Sequence, residues 1–153
     1  MKNKNKTVWS NRLKKKPSKS FQRIGSSIGV DKRLYKQDIF ASTIHTQMLI
    51  KQKIIPSNDG KKIINGLRKI KTLIDKGKFI FHEKYEDIHL NIEKKLFEII
   101  GPSAGFMHTA RSRNDQVVTD FKLWVKESSK DILKDITNVM KILIKKAEKN
   151  TDT

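Results

Sequence analysis

The chain contains no cysteine, which excludes disulfides and thiolate metal sites and permits a reducing compartment. No apolar run approaches the roughly 20 residues that a membrane span requires, and the Lys-rich start lacks the apolar stretch of a secretory signal. The sequence is therefore read as a soluble, cytoplasmic protein with no membrane partner. Strand signals are missing as well, since no convincing alternation of apolar and polar residues occurs anywhere along the 153 residues. Acidic residues are scarce, with 16 against 34 basic ones and a formal net charge of +18. Such a balance ordinarily points to nucleic acid or an anionic surface. Only six of the basic residues are arginines, however (Arg12, Arg23, Arg33, Arg68, Arg111, Arg113). Surfaces that read bases or grip phosphates favour the bidentate guanidinium. The lysines are spread along the whole chain, so a solvated surface is expected and no nucleic-acid partner. A small basic nucleic-acid-binding protein is the rival reading, and it requires tight, salt-dependent binding.

What is present is a 36% hydrophobic fraction, enough for the core of one domain. Residues 1–20 carry eight basic side chains and no acid, so this arm is expected to be extended or flexible, with Val8, Trp9 and Leu13 as its apolar anchors. A helical period starts at Asp31, a candidate N-cap, and places Leu34, Ile39, Ala41, Ile44, Met48 and Leu49 near one face before Pro56. A second helix from about Ser57 carries the stripe Ile63, Leu67, Ile70 and Ile74 and ends at Gly77 as a left-handed cap. The two are expected to pair antiparallel. After an extended link at residues 78–85, Ile88, Ile92, Leu96 and Ile99 define a third helix stopped by Gly101-Pro102. A polar loop at residues 101–113 leads into one unbroken helical pattern from about 114 to 149 with no internal Gly or Pro. Phe121, Val125, Ser128, Ile132, Ile136, Val139 and Leu143 form its seam. A helix of roughly 50 Å exceeds what three shorter helices can cover, so its apolar stripe needs further sequence, other subunits, or both.

Three clusters could carry chemistry. Ser26-Ser27-Ile28-Gly29-Val30-Asp31 precedes a helix start, where hydroxyls and free N–H groups can receive an anion or simply cap the helix. Glu86-Asp87-Ile88-His89-Leu90-Asn91-Ile92-Glu93 pairs Asp87 with Asn91 and His89 with Glu93 at i,i+4 spacing, while Ile88 and Ile92 point to the core. His89 and Glu93 make only two candidate ligands, so no metal is expected there and a surface helix with an i,i+4 pair accounts for the segment. His108-Thr109-Ala110-Arg111-Ser112-Arg113-Asn114-Asp115-Gln116 sets two arginines beside hydroxyls and amides at a helix N-terminus, whose dipole favours anions. It fits a dicarboxylate site, or a polar loop capped by Asn114 or Asp115.

This last segment resembles the first signature of the argininosuccinate lyases, members of the fumarase and aspartase superfamily together with the delta-crystallins. The similarity extends to Ser27-Ile28-Gly29-Val30-Asp31-Lys32-Arg33-Leu34-Tyr35-Lys36-Gln37-Asp38-Ile39, to Glu86-Asp87-Ile88-His89 with Asn91 and Glu93, and to Val117-Val118-Thr119-Asp120-Phe121-Lys122-Leu123-Trp124. Order and spacing agree from about Trp9 onward. Trp9-Ser10-Asn11-Arg12-Leu13 and Ile24-Gly25-Ser26 depart from the family's usual Trp-Gly-Gly-Arg-Phe and Phe-Asn-Ala, and Ala104 stands for a common glycine. The resemblance implies an all-α fold, with an N-terminal helical domain (residues 21–113) followed by the first long helix of a fumarase/aspartase-type bundle (residues 114–153). It implies reversible elimination of argininosuccinate to arginine and fumarate without metal or organic cofactor, in a homotetramer. Substrate donors would be Ser27, Ser112, Arg113 and Asn114, with Asp87, His89 and Asn91 shaping the pocket and Thr109 supporting the loop. Family members are much longer, and their proton-transfer groups fall beyond Thr153. The chain is thus expected to be an inactive N-terminal portion, and a non-catalytic role like that of the crystallin relatives stays open.

Overall fold

The computed structural model describes residues 18–151, and among these every regular element is helical. Most of the expected basic arm, including Val8, Trp9 and Leu13, lies outside the described residues. At its end Ser18 accepts the Phe21 N–H (3.1 Å) and caps a short helix α1, Lys19–Gly25, so Lys19 and Ser20 are already helical. Two further short turns, α2 (Ile28–Asp31) and a 3-10 turn (Lys32–Leu34), lead into α3, Tyr35–Lys51. Asp31 is not the cap of α3. Its carboxylate instead accepts the Ser27 hydroxyl (2.5 Å) and the Ile88 N–H (3.1 Å), which ties the start of the domain to a helix far along the chain.

Helix α4 spans Ser57–Asp75. Tyr35 at the start of α3 donates to Asp75 at the end of α4 (2.9 Å), and Gly60 near the start of α4 lies against Ile50 near the end of α3, so the two helices run antiparallel. Both end in the same hydrogen-bonded motif. Lys78 N–H reaches Leu73 O and Gly77 N–H reaches Ile74 O after α4, while Ile54 N–H reaches Leu49 O and Lys53 N–H reaches Ile50 O after α3. The left-handed position is the expected Gly77 (φ +65) in one case and Lys53 (φ +56), a residue with a Cβ, in the other.

Helix α5, Ile88–Ile100, is followed by a 3-10 segment, Gly101–His108. The core lies between α4, α5 and this segment, with Ile63, Leu67, Ile70, Ile88, Ile92, Leu96, Ala104 and Met107 buried together with Ile39 and Leu49 from α3. Each buried Ile or Leu contributes about 1.5–3 kcal/mol of transfer free energy. Close approach of α4 to α5 needs Gly66, where a Cβ would stand 2.4 Å from Leu96 Cδ1.

The apolar stripe expected on α3 divides. Ile39 and Leu49 face the core, but Ile44 and Met48 are exposed with Phe40, and the remaining buried positions are Gln37, Asp38, Ser42 and Thr46. Helix α6, Arg113–Glu148, matches the long helical pattern at 36 residues, about 54 Å. Its inward face near the start is Gln116 and Asp120, not the apolar seam. Phe121, Val125, Ile132, Ile136, Val139 and Leu143 are all exposed, and every described residue from 129 onward is exposed. Among the described residues no helix is long and apolar enough to cross a membrane.

Candidate functional site

The site is assembled in two levels where α2, α3, α5 and the start of α6 meet. In the outer level the Glu86 carbonyl accepts the N–H groups of Ser27 (2.9 Å) and Ile28 (3.0 Å) and the Ser26 hydroxyl (3.3 Å). Glu86 itself holds φ +64, a strained setting for a non-glycine residue that the three donors stabilise. Its neighbour Asp87 caps α5 by accepting the Leu90 N–H (2.6 Å), and its other oxygen lies 3.7 Å from Arg113 Nε. Arg113 also donates to Glu93 (3.2 Å) and to Gln116 Oε1 (2.7 Å). Ser27, Asp87 and Arg113 are thereby brought into one neighbourhood.

Neither Asn114 nor Asp115 caps α6. Ser112 does, accepting the Asn114 N–H (3.2 Å), while Asp115 three residues on accepts the Ser112 N–H (3.3 Å) to complete a capping box. Ser112 and Asn114 are exposed, and Arg113 is half-buried between the carboxylates of Asp87 and Glu93. Burial and then the charge of Arg113 lower the pKa of His108, which keeps its imidazole neutral beside the two arginines.

The inner level was not foreseen from the sequence. His89 and Asn91 are buried, and the expected surface pair of His89 with Glu93 does not form. Asn91 staples the link to α5, accepting the His82 N–H (2.8 Å) and donating to the carbonyls of His82 (3.2 Å) and Asp87 (2.8 Å). His89 Nδ1 lies 3.1 Å from Asp38 Oδ1 and 3.4 Å from Asp120 Oδ2. Gln116 donates to the same Asp38 oxygen, and Arg111 donates to Ser42 (3.1 Å). Burial alone raises the Asp38 pKa, yet the His89 hydrogen bond and charge, with Gln116 and Arg111, bring it below the usual carboxylate range. Burial likewise works against the charged form of His89, but Asp38, Asp87 and Asp120 hold its pKa above the ordinary value. Asp120 is pushed up to about 8 by burial and by the charge of Asp38, so it carries a proton at neutral pH.

One ligand atom each of Asp38, His89 and Asp120 falls within 4.8 Å of the others, close enough to hold a metal ion on spacing alone. The first Asp38 oxygen is met by His89 and Gln116, and Arg111 adds positive charge nearby, while the second Asp38 oxygen and both Asp120 oxygens are buried without a hydrogen-bond partner among the described residues. Signals for this level were present in the sequence as polar residues at helical spacing: Asp38, Ser42 and His45 on α3, and Gln116 and Asp120 on α6. Such spacing does not by itself mark a buried site, because an interior is expected to be apolar.

A family described as Lyase matches residues 11–153 of the chain. The argininosuccinate lyase of Pelagibacter ubique (strain HTCC1062) is 52% identical over all of this chain and 33% of its own length. That of Bartonella bacilliformis (strain ATCC 35685 / KC583 / Herrer 020/F12,63) is 46% identical over 95% of this chain and 31% of its own length. That of Symbiobacterium thermophilum (strain DSM 24528 / JCM 14929 / IAM 14863 / T) is 48% identical over 92% and 30%. The chain thus spans about a third of the length of these curated relatives. With nearly all of its residues inside the matched region and a helical site of this construction, the chain belongs to the lyase family.

Proposed function

We propose that this chain supplies the first part of an argininosuccinate lyase, whose reaction is the reversible elimination of argininosuccinate to arginine and fumarate in arginine biosynthesis. Base removal of the proton on the carbon next to a carboxylate, with departure of the arginine nitrogen from the neighbouring carbon, leaves the carbon–carbon double bond of fumarate. Charge accumulates on that carboxylate, so fixed donors around it bind the transition state more tightly than the ground state. Ser27, Ser112, Arg113 and Asn114 are assigned as those donors. Asp87 shapes the pocket through Arg113, His89 and Asn91 act from beneath it, and Thr109 supports the loop. The proton-transfer groups come from outside this chain, and no metal or organic cofactor is required. The observation that carries the reading is the similarity of the whole chain to argininosuccinate lyases, with Ser27, Asp87 and Arg113 converging on one neighbourhood. The exposed apolar stripe of α6 supports assembly as a homotetramer through a bundle of long helices. The location we assign to this reaction is the cytoplasm.

The test is a chimera joining this chain to the downstream two thirds of the Pelagibacter ubique enzyme. It is expected to form fumarate from argininosuccinate, and Ser27→Ala or Asn114→Ala to lower kcat about 100-fold, the size of losing one transition-state donor. The 153-residue chain alone is expected to release none. An inactive chimera beside an active parent enzyme would contradict the assignment.

A further inference from the structure

One face of α3 carries Asp38, Ser42 and His45, at spacings of four and three, and each reaches a different part of the segment that opens α6. His45 Nε2 donates to the Thr109 carbonyl (2.9 Å). The Ser42 hydroxyl accepts from Arg111 Nη2 (3.1 Å), and Asp38 accepts from Gln116. Between the first two anchors Ala110 is held at φ +55, a conformation that L-residues rarely adopt and that neighbouring contacts must enforce. None of the three α3 residues is among the donors assigned to substrate.

We propose that Asp38, Ser42 and His45 are positioning residues: a polar stripe on α3 that clamps residues 109–116 and thereby sets where Ser112, Arg113 and Asn114 point. As it bears on catalysis, this rests on the lyase reading above; as a statement about the loop, it stands on the hydrogen bonds alone. Of the three, His45 gives the cleanest test, because its single bond is to a backbone carbonyl and a glutamine amide can replace the imidazole N–H.

Hydrogen–deuterium exchange is measured on the 153-residue protein as parent, His45→Ala and His45→Gln. In His45→Ala, exchange at residues 109–116 is expected to rise about three- to tenfold, the range for one lost hydrogen bond, with α4 and α5 unchanged. His45→Gln is expected to restore slow exchange. Unchanged exchange at 109–116, or a rise spread over the whole chain that Gln does not rescue, overturns the proposal. If His45→Ala does not fold, Ser42→Ala, which takes one acceptor from Arg111, is judged by the same local-against-global criterion. In the chimera, His45→Ala is expected to lower kcat about tenfold with KM changed less than about threefold, and His45→Gln to recover it. Local loosening in an inactive chimera would remove the lyase reading and leave the clamp standing. Local loosening in an active chimera with kcat unchanged would remove the positioning role.

Discussion

Helix α5 separates two interfaces made of opposite materials. Toward α4 it presents Ile88, Ile92 and Leu96, all fully buried against Ile63, Leu67 and Ile70. Toward α3 and α6 it presents His89, equally buried, between two aspartates. The first interface holds its helices by area removed from water, a force with little direction that does not depend on pH. The second holds them by directed bonds among groups whose charge can change. The difference teaches what each is for: apolar packing fixes the scaffold, and the polar junction fixes the angle at which the capping loop of α6 meets Ser27 and Asp87.

The largest effects should come from truncating a buried partner on either side. Asp38→Ala takes the nearer carboxylate from buried His89, leaving it only Asp120 at 3.4 Å, and removes the acceptor of Gln116; it is expected to cost about 3 kcal/mol in urea unfolding. A cost near that of an exposed ion pair would mean that the junction is solvated. On the apolar side Leu96→Ala is expected to lose about 2–5 kcal/mol, with no change in the pH dependence of stability.

The pH profile separates the two interfaces more sharply than either truncation. Asp120 has a raised pKa, so the folded state holds a proton that the unfolded chain has released; the stability tied to that proton is full below the unfolded value and is lost as pH rises through about 8. His89, also raised, acts in the same direction, and Asp38, lowered, contributes stability above its unfolded value that is lost in acid. Asp120→Asn should flatten the fall in unfolding midpoint between about pH 4 and about pH 8, whereas Leu96→Ala should shift the whole profile downward in parallel. A parent protein with no fall over that range would show that Asp120 is already ionised when folded. The smallest effect concerns the scaffold alone: Lys53→Gly, at φ +56, is expected to gain about 1 kcal/mol and to leave exchange at residues 109–116 untouched.

The scaffold was legible in the sequence because its interface is apolar and periodic. Ile63, Leu67 and Ile70 gave α4, Gly77 gave its end, and Ile88, Ile92 and Leu96 gave α5. The absence of Gly and Pro gave α6 almost to the residue. The polar junction was not legible by the same logic. Burial of Asp38, His89 and Asp120 runs against the composition expected of interiors. It is visible only once residues separated by 51 and 31 positions in sequence meet, His89 lying between the two carboxyl groups while one Asp38 oxygen and both Asp120 oxygens stay without a hydrogen-bond partner among the described residues. Asp31 misled for a related reason, since its carboxylate serves Ile88 across the fold and not its own helix. The cap of α6 falls at Ser112, two residues before the expected Asn114, because Ser112 has Asp115 three residues ahead to return the bond in a capping box.

A crystal structure of the chimera with fumarate bears most directly on the account, because it locates the ligand against both levels of the site. Fumarate carboxylates contacted by Ser27, Ser112 and Asn114, with Asp38 and Asp120 buried beneath and out of contact, is the predicted result. Fumarate seated elsewhere, or reaching Asp38 or Asp120 directly, would contradict it.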